Sequence, residues 1–274
     1  MSPPIKAVDS LQNPAVKLAR ALERDRALRT ARRTYLAWGI HPAQEALAAR
    51  APLRQAFLGP ALAESKEGSD LERRLCASGV PIVRATTRVL ESIIEGSGDQ
   101  GVLLLAELPG TDLKSVLSST RPLVLAAHGV QDPGNVGSIL RSARALGAGG
   151  LVALEGCADP FGSRAVRAAM GAQFTLPALS CTTGEFLAGA RTAGRQVVAA
   201  DPAAHDTPTD VDLARPTALL VGSEGSGLPK DLLAAADLRV RIPMAPGVES
   251  LNVHAAAAAL LYEAARQRGF SFSP

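Results

Sequence analysis

The stretch Arg239-Val240-Arg241-Ile242-Pro243-Met244, then Ala245-Pro246-Gly247-Val248-Glu249-Ser250-Leu251-Asn252-Val253-His254, then Ala255-Ala256-Ala257-Ala258-Ala259-Leu260-Leu261-Tyr262-Glu263 decides how this chain is read. A short strand enters a loop of Pro, Gly, Ser and Asn, and an alanine-rich helix leaves it. Ser250 is placed to cap that helix. Small side chains let the helix backbone approach its neighbours closely, which suits a segment packed deep inside a domain. Two earlier stretches repeat the arrangement of polar loop and helix. Asp132-Pro133-Gly134-Asn135 precedes an amphipathic helix, and Val221-Gly222-Ser223-Glu224-Gly225-Ser226-Gly227-Leu228-Pro229 follows an apolar strand. A site built from all three has to be assembled by the fold.

The 274 residues suffice for two domains and a sizeable core. Apolar residues make up 47%, so the chain is globular rather than disordered. Aromatics are only 3%, which leaves the core to Ala, Val and Leu and offers few platforms for stacking single-stranded bases. No apolar run reaches membrane-spanning length and no secretory signal opens the chain, so the expected location is the cytoplasm. Cys76, Cys157 and Cys181 form no CxxC pair and read as reduced thiols. His41, His128, His205 and His254 lack metal-ligand spacing, so no metal is expected. Of 29 Lys/Arg and 26 Asp/Glu, residues 1–107 hold 15 and 12, which leaves 14 of each in the remainder. The basic excess therefore sits in the N-terminal part, as for a polyanion partner engaged there or a solvated charged surface.

In chain order, Asn13 and Pro14 open a helix as cap and first-turn proline. Seven basic and two acidic residues lie between Lys17 and Arg33. Lys17, Arg20 and Arg24 share one helix face, for phosphate contact or for solvent. Strands are expected at 35–40, 53–58, 81–84 and 102–108, with helices at 42–49, 70–78 and 87–95, which makes a small α/β domain. A glycine-rich loop follows at 96–101, and Leu108-Pro109-Gly110-Thr111 is the expected domain boundary. The second domain is expected to run as strand 123–127, a type II turn at Asp132-Pro133-Gly134, and helix 135–146 capped by Asn135. Ile139, Ala143 and Leu146 form its buried stripe, and Arg141 lies about 200° round from Ile139, free to face a cleft or water. Further strands are expected at 151–154, 174–176, 196–200 and 217–221, with helices at 164–170, 184–192 and 230–236. Short apolar strands of this kind suit a buried parallel sheet.

No GxGxxG fingerprint, GxxxxGK[ST] loop or HExxH motif occurs. Instead, Asn135-Val136-Gly137-Ser138-Ile139-Leu140-Arg141, with Ala145 and Gly147, resembles the first motif of SpoU-type RNA methyltransferases, the TrmH-like branch of the SPOUT superfamily. Val221 to Leu228 resembles the second. Ile242-Pro243-Met244, Ser250-Leu251-Asn252-Val253 and the Ala-rich helix resemble the third. Order and spacing agree for all three. Leu11-Gln12-Asn13-Pro14, Glu45-Ala46-Leu47 and Asp99-Gln100-Gly101-Val102 are similar to the substrate-binding domain of ribosomal-RNA members, so the resemblance covers essentially the whole chain.

The resemblance implies a parallel α/β catalytic domain (108–274) whose C-terminal segment threads a deep trefoil knot, which connection rules would never suggest. It implies a small α/β, ribosomal-protein L30e-like RNA-binding domain (1–107) before it, and a homodimer with the site near the subunit interface. The implied cofactor is S-adenosylmethionine, held by backbone groups of Gly222, Ile242 and Leu251, and the implied reaction is methylation of a ribose 2′-hydroxyl, most directly in 23S ribosomal RNA. Arg141 is the implied catalytic arginine. A guanidinium is effectively always protonated, so a phosphate clamp and oxyanion stabiliser suits it better than a general base. Asn135, Glu224, Ser250 and Asn252 would orient Arg141 and the ribose. In isolation each has a plainer reading: Asn135 and Ser250 as helix caps, Arg141 as a solvated arginine, Glu224 as surface charge. Asn252 is different, since a buried amide needs partners. Two positions depart from the family pattern. His254 stands where a small residue such as Ser is usual, and reads as a packed core histidine or a cofactor or dimer contact. Ala169 stands where relatives often have Ser. Transfer RNA as substrate, or a catalytically silent RNA-binding factor, are the alternatives. A dinucleotide-dependent oxidoreductase is disfavoured by the missing fingerprint.

Overall fold

The computed structural model describes residues 6–94, 101–248 and 250–272, with side chains from Val8 onward. Residues 96–100 of the expected glycine-rich loop, and Glu249 of the third motif, lie outside the described residues. The chain groups into two compact units, Met1–Pro109 with Phe161–Phe174, and Gly110–Pro160 with Thr175–Pro274.

The first unit contains β1 (Lys6–Val8), α1 (Pro14–Arg24), α2 (Arg26–Arg32), β2 (Thr34–Trp38), α3 (Ile40–Ala48), β3 (Leu53–Leu58), α4 (Lys66–Ala77), β4 (Ile82–Ala85), α5 (Thr87–Ile93) and β5 (Val102–Glu107). Its sheet has the order β1-β4-β3-β5-β2. β1, β4 and β3 are parallel, and β5 runs antiparallel to both of its neighbours. Alternate strand residues Leu36, Trp38, Leu103 and Leu105 join Val16, Ala19 and Leu22 of α1 and Val89, Leu90 and Ile93 of α5 in one core, as strand periodicity requires. Asn13 caps α1 by accepting the Ala15 N–H at 2.9 Å. The basic residues from Lys17 to Arg33 are divided between two helices. Asp25 ends α1 and caps α2, accepting from the Leu28 N–H at 3.1 Å. Arg29 is buried at this break and donates to the carbonyls of Leu22 at 2.7 Å and Glu23 at 3.1 Å. One of the seven basic residues is thus spent on the fold.

The second unit contains α6 (Leu113–Leu117), β6 (Leu123–His128), α7 (Pro133–Ala145) and β7 (Leu151–Ala153). The next helix, α8 (Ser163–Ala168), belongs to the segment grouped with the first unit. There Phe161 and Phe174 flank the buried Tyr35 ring, at centroid distances of 5.1 and 5.9 Å. The Arg167 guanidinium lies 4.6 Å over the Trp38 ring. Phe174 therefore ends a 3₁₀ turn, Ala172–Phe174, and not the expected strand 174–176. The strand, β8 (Ala178–Ser180), begins only after Pro177. α9 (Thr183–Thr192), β9 (Gln196–Ala200), β10 (Thr217–Gly222), α10 (Lys230–Ala235), β11 (Leu238–Val240) and α11 (Val253–Gln267) complete the second unit.

The second sheet has the order β11-β9-β10-β6-β7-β8, and every pairing in it is parallel. α6, α9 and α10 share one core with Val124, Ala126, Val197, Ala199, Ala218 and Leu220. The fold is thus mixed α/β with a parallel sheet. From β6 the chain builds outward through β7 and β8, then returns to place β9 and β10 on the other side. The strand order reverses between β6 and β10, and such a reversal opens a crevice at the carboxyl ends of the strands.

Candidate functional site

The first wall of the site is the start of α7. Asp132, not Asn135, is its cap, and its carboxylate accepts the Asn135 N–H at 2.9 Å. Pro133 then occupies the first helical position. Gly134 has no positive φ, so the expected type II turn does not form. Asn135 sits inside the first turn with its amide free. That amide donates to Glu224 Oε1 at 2.6 Å.

The second wall is the turn after β10. Gly222 ends the strand, and Ser223 accepts the Gly227 N–H at 2.9 Å, which closes a tight loop. A Cβ on Gly222 would lie 2.3 Å from the Gly227 carbonyl carbon and 2.5 Å from the Leu228 nitrogen. Glycine is required at 222 by the chain's own return, before any ligand is considered.

The third wall is the start of α11. Here too the cap differs from expectation: Asn252, two residues beyond Ser250, accepts the N–H groups of His254 at 2.9 Å and Ala255 at 3.4 Å. The amide nitrogen of the same side chain donates to Glu224 Oε1 at 2.8 Å and to Asn135 Oδ1 at 3.2 Å. The Val253 N–H points to Glu224 Oε1 at 3.4 Å. One carboxylate oxygen thus draws together residues 135, 224 and 252.

Beside this network lies a cavity of about 430 Å³ at the ends of β9, β10 and β11. Gly222, Ile242, Leu251, Glu224 and Ser250 all line it. The backbone N–H and C=O groups of Ile242 and Leu251 have no hydrogen-bond partner among the described residues. Asn135 and Asn252 do not line the cavity and reach it through Glu224. Arg141 does not line it either. It is exposed on α7, with no hydrogen-bond or ion-pair partner among the described residues. Its neighbour Ser142 bonds His254 Nε2 at 2.9 Å, so His254 is a half-buried tie between α7 and α11. Ala169 is buried.

In the first unit, Lys17 and Arg24 are exposed and Arg20 is half-buried, on the side of α1 away from Val16, Ala19 and Leu22. Two residues at the site have roles that the sequence pattern does not assign. Asp132 was readable from the proline that follows it, because Pro favours the first helical position and makes the preceding residue the cap. Asp201 also lines the cavity and is buried. Its signal was its place directly after a buried parallel strand. The cysteines are all free. Burial first, then Glu185 and Glu155, push the Cys181 thiol up to about 11. Burial likewise raises Cys157. Neither is an activated nucleophile. Among the described residues no group of His, Cys, Asp and Glu could hold a metal, and no helix is long and apolar enough to cross a membrane.

Residues 122–262 match the SpoU rRNA Methylase family, just over half of the 274 residues. The chain belongs to the SpoU rRNA methylase family. All three walls fall inside the region of the SpoU match, and the basic face of α1 lies outside it. One SpoU relative, the 23S rRNA (uridine(2479)-2′-O)-methyltransferase of Streptomyces viridochromogenes, is 33% identical over 254 residues, covering 90% of this chain and 88% of that protein. Another, the 23S rRNA (guanosine(2553)-2′-O)-methyltransferase RlmP of Bacillus subtilis, is 28% identical over 94% of this chain and 98% of its own. The solved structure of an AdoMet-bound rRNA methyltransferase from Sinorhizobium meliloti aligns with a TM-score of 0.83 at 31% identity, over 96% of this chain and 98% of that one.

Proposed function

We propose that this chain transfers a methyl group from S-adenosylmethionine to a ribose 2′-hydroxyl of 23S ribosomal RNA. The observation that carries the reading is the convergence of three distant segments on Glu224 beside the cavity bordered by Gly222, Ile242 and Leu251. Two relatives, matched over 90% and 94% of the chain, are named for this reaction on different nucleotides, a uridine and a guanosine, so the reaction class carries over and the target nucleotide does not.

The cavity suits the cofactor. It sits at strand ends, its walls are largely apolar, and Ile242 and Leu251 present backbone donors and acceptors that the protein itself leaves unused. Glycine at 222 keeps the adjoining turn tight. When bound, S-adenosylmethionine supplies a methyl group already activated by its sulfonium charge. The work left to the protein is orientation and charge. Glu224, fixed by the amides of Asn135 and Asn252, presents its edge at the cavity wall, and Ser250 adds a hydroxyl there. Arg141 would clamp the phosphate next to the reacting ribose and stabilise the oxygen as its proton leaves. Because Arg141 stands on the exposed face of α7, its natural place is a site completed by a second copy of the chain. A homodimer with the active site at the subunit interface, a trefoil knot around residues 222–252, and a ribosomal-protein-like N-terminal domain that grips RNA through Lys17, Arg20 and Arg24 complete the proposal.

Incubation with labelled methyl donor and ribosomal RNA should place label on a ribose, read as an alkali-resistant dinucleotide. Label on a base would contradict the reaction. Arg141→Ala should abolish transfer and leave cofactor affinity nearly intact, because the residue is outside the cavity wall.

A further inference from the structure

The cavity has a charge pattern that backbone recognition does not explain. Two acidic residues line it, Glu224 and Asp201, and none of the described lining residues is Lys, Arg or His. Glu224 is held by the network described above. Asp201 has no place in that network. It follows β9 directly, its N–H is tied to the Val240 carbonyl of β11 at 2.9 Å, and its side chain is only 8% exposed. One oxygen accepts the Ala203 N–H at 2.9 Å. The other faces Arg239 at 3.4 Å, but that guanidinium is 55% exposed and is not part of the cavity wall. A long, solvent-facing ion pair of this kind is weak. A buried carboxylate is retained only where something offsets its desolvation, and Arg239 does so only in part.

We propose that Asp201 is a cofactor-binding residue whose charge makes the cavity select the cationic methyl donor over its neutral product. The inference rests on the methyltransferase reading. S-adenosylmethionine carries a sulfonium, an ammonium and a carboxylate, for a net charge of about +1 near neutral pH, and S-adenosylhomocysteine has lost the sulfonium and is neutral overall. The two ligands share every other group. A fixed negative charge at the cavity wall therefore acts on the difference between them, and favours exchange of spent product for fresh donor after each transfer. A single charge acting across part of a cavity of this size, at the effective dielectric of a protein interior, changes the preference by about tenfold.

The test is calorimetric titration of the full chain with each ligand separately, without RNA. Asp201→Asn keeps an acceptor for the Ala203 N–H, so the strand end should stay folded, and far-ultraviolet circular dichroism checks this. The variant should bind S-adenosylmethionine about tenfold more weakly and S-adenosylhomocysteine within about twofold of the parent. Arg239→Gln should shift the ratio the other way, by severalfold in favour of the donor, since it removes the only cation beside the carboxylate among the described residues. Equal weakening of both ligands by Asp201→Asn, or no change in either, overturns the inference while leaving the enzyme reading intact. A parent chain that binds neither ligand overturns both.

Discussion

Asn252 performs two tasks with the two ends of one amide, and three substitutions separate them. Its oxygen caps α11, and its nitrogen donates to Glu224 and Asn135. Asn252→Ala removes both. Loss of the cap costs about 1 kcal/mol. Glu224 is exposed, so water replaces the lost donor there, and the net cost of that bond is about 0.5–1 kcal/mol. The sum, about 1.5–2 kcal/mol, should lower the melting temperature by roughly 4–6 °C for a unit of this size. Asn252→Ser keeps the cap and should cost less than about 1 kcal/mol. Asn252→Asp also keeps the cap but sets a carboxylate against Glu224, so its loss should shrink on acidification. All three abolish the amide donor that fixes Glu224, and methyl transfer should fall by about 100-fold in each, as when a group that positions the reacting centre is displaced. Differential scanning fluorimetry and single-turnover methyl transfer read the two effects separately. A serine variant with parental activity would refute the orienting role. Equal destabilisation by Ala and Ser would refute the cap.

Gly222→Ala should cost about 2–4 kcal/mol and abolish donor binding in calorimetry, because the new methyl group meets the Gly227–Leu228 peptide rather than a movable side chain. Reversing Lys17, Arg20 and Arg24 to Glu should weaken RNA binding and reduce the slope of log K against log salt by about 2–3, measured by filter binding; an unchanged slope assigns the face to solvent. Burial works to raise the Glu155 carboxyl, but the Thr183 hydroxyl and N–H outweigh it and hold the group below its ordinary value of 4.5. A lowered carboxyl stabilises the folded state above its unfolded value and loses that contribution as pH falls through the folded one. The melting-temperature gap between the parent and Glu155→Gln should therefore be full at pH 7 and close below pH 4.5; a gap that persists in acid would contradict the assignment.

Much of the fold was legible because its strands are short apolar runs between polar turns. β3 was expected at 53–58 and lies there, and β9 was expected at 196–200 and lies there. What escaped was set by contacts distant in sequence. Nothing near Phe174 announces that its ring will pack on Tyr35, so the local pattern read as a strand. The same packing gathers Phe161–Phe174 with the first unit although the segment is flanked by the second. Likewise the run of seven basic residues from Lys17 to Arg33 carries no local sign of which of them the fold will use. Asp25 breaks it, and Arg29 turns inward to satisfy carbonyls at the break.

The site was legible as a set of residues but not as a division of labour among them. Both helix starts differ from the sequence expectation: the pattern places caps at Asn135 and Ser250, and Asp132 and Asn252 do the capping. At α7 the signal is the proline, since Asp132-Pro133 follows the same rule as Asn13-Pro14 at the start of α1. The displacement has a chemical consequence. A capping side chain spends its acceptor on backbone N–H groups. By leaving that task to Asp132, α7 frees the whole amide of Asn135, which donates to Glu224 while accepting from Asn252. At α11 the cap itself must bridge, and an amide carries its acceptor for the helix and its donor for the carboxylate on separate atoms, whereas a hydroxyl must serve both from one short oxygen. Serine at 252 would cap as well and bridge worse, and aspartate would cap better and repel. Asparagine is the one common capping residue that meets both demands at once.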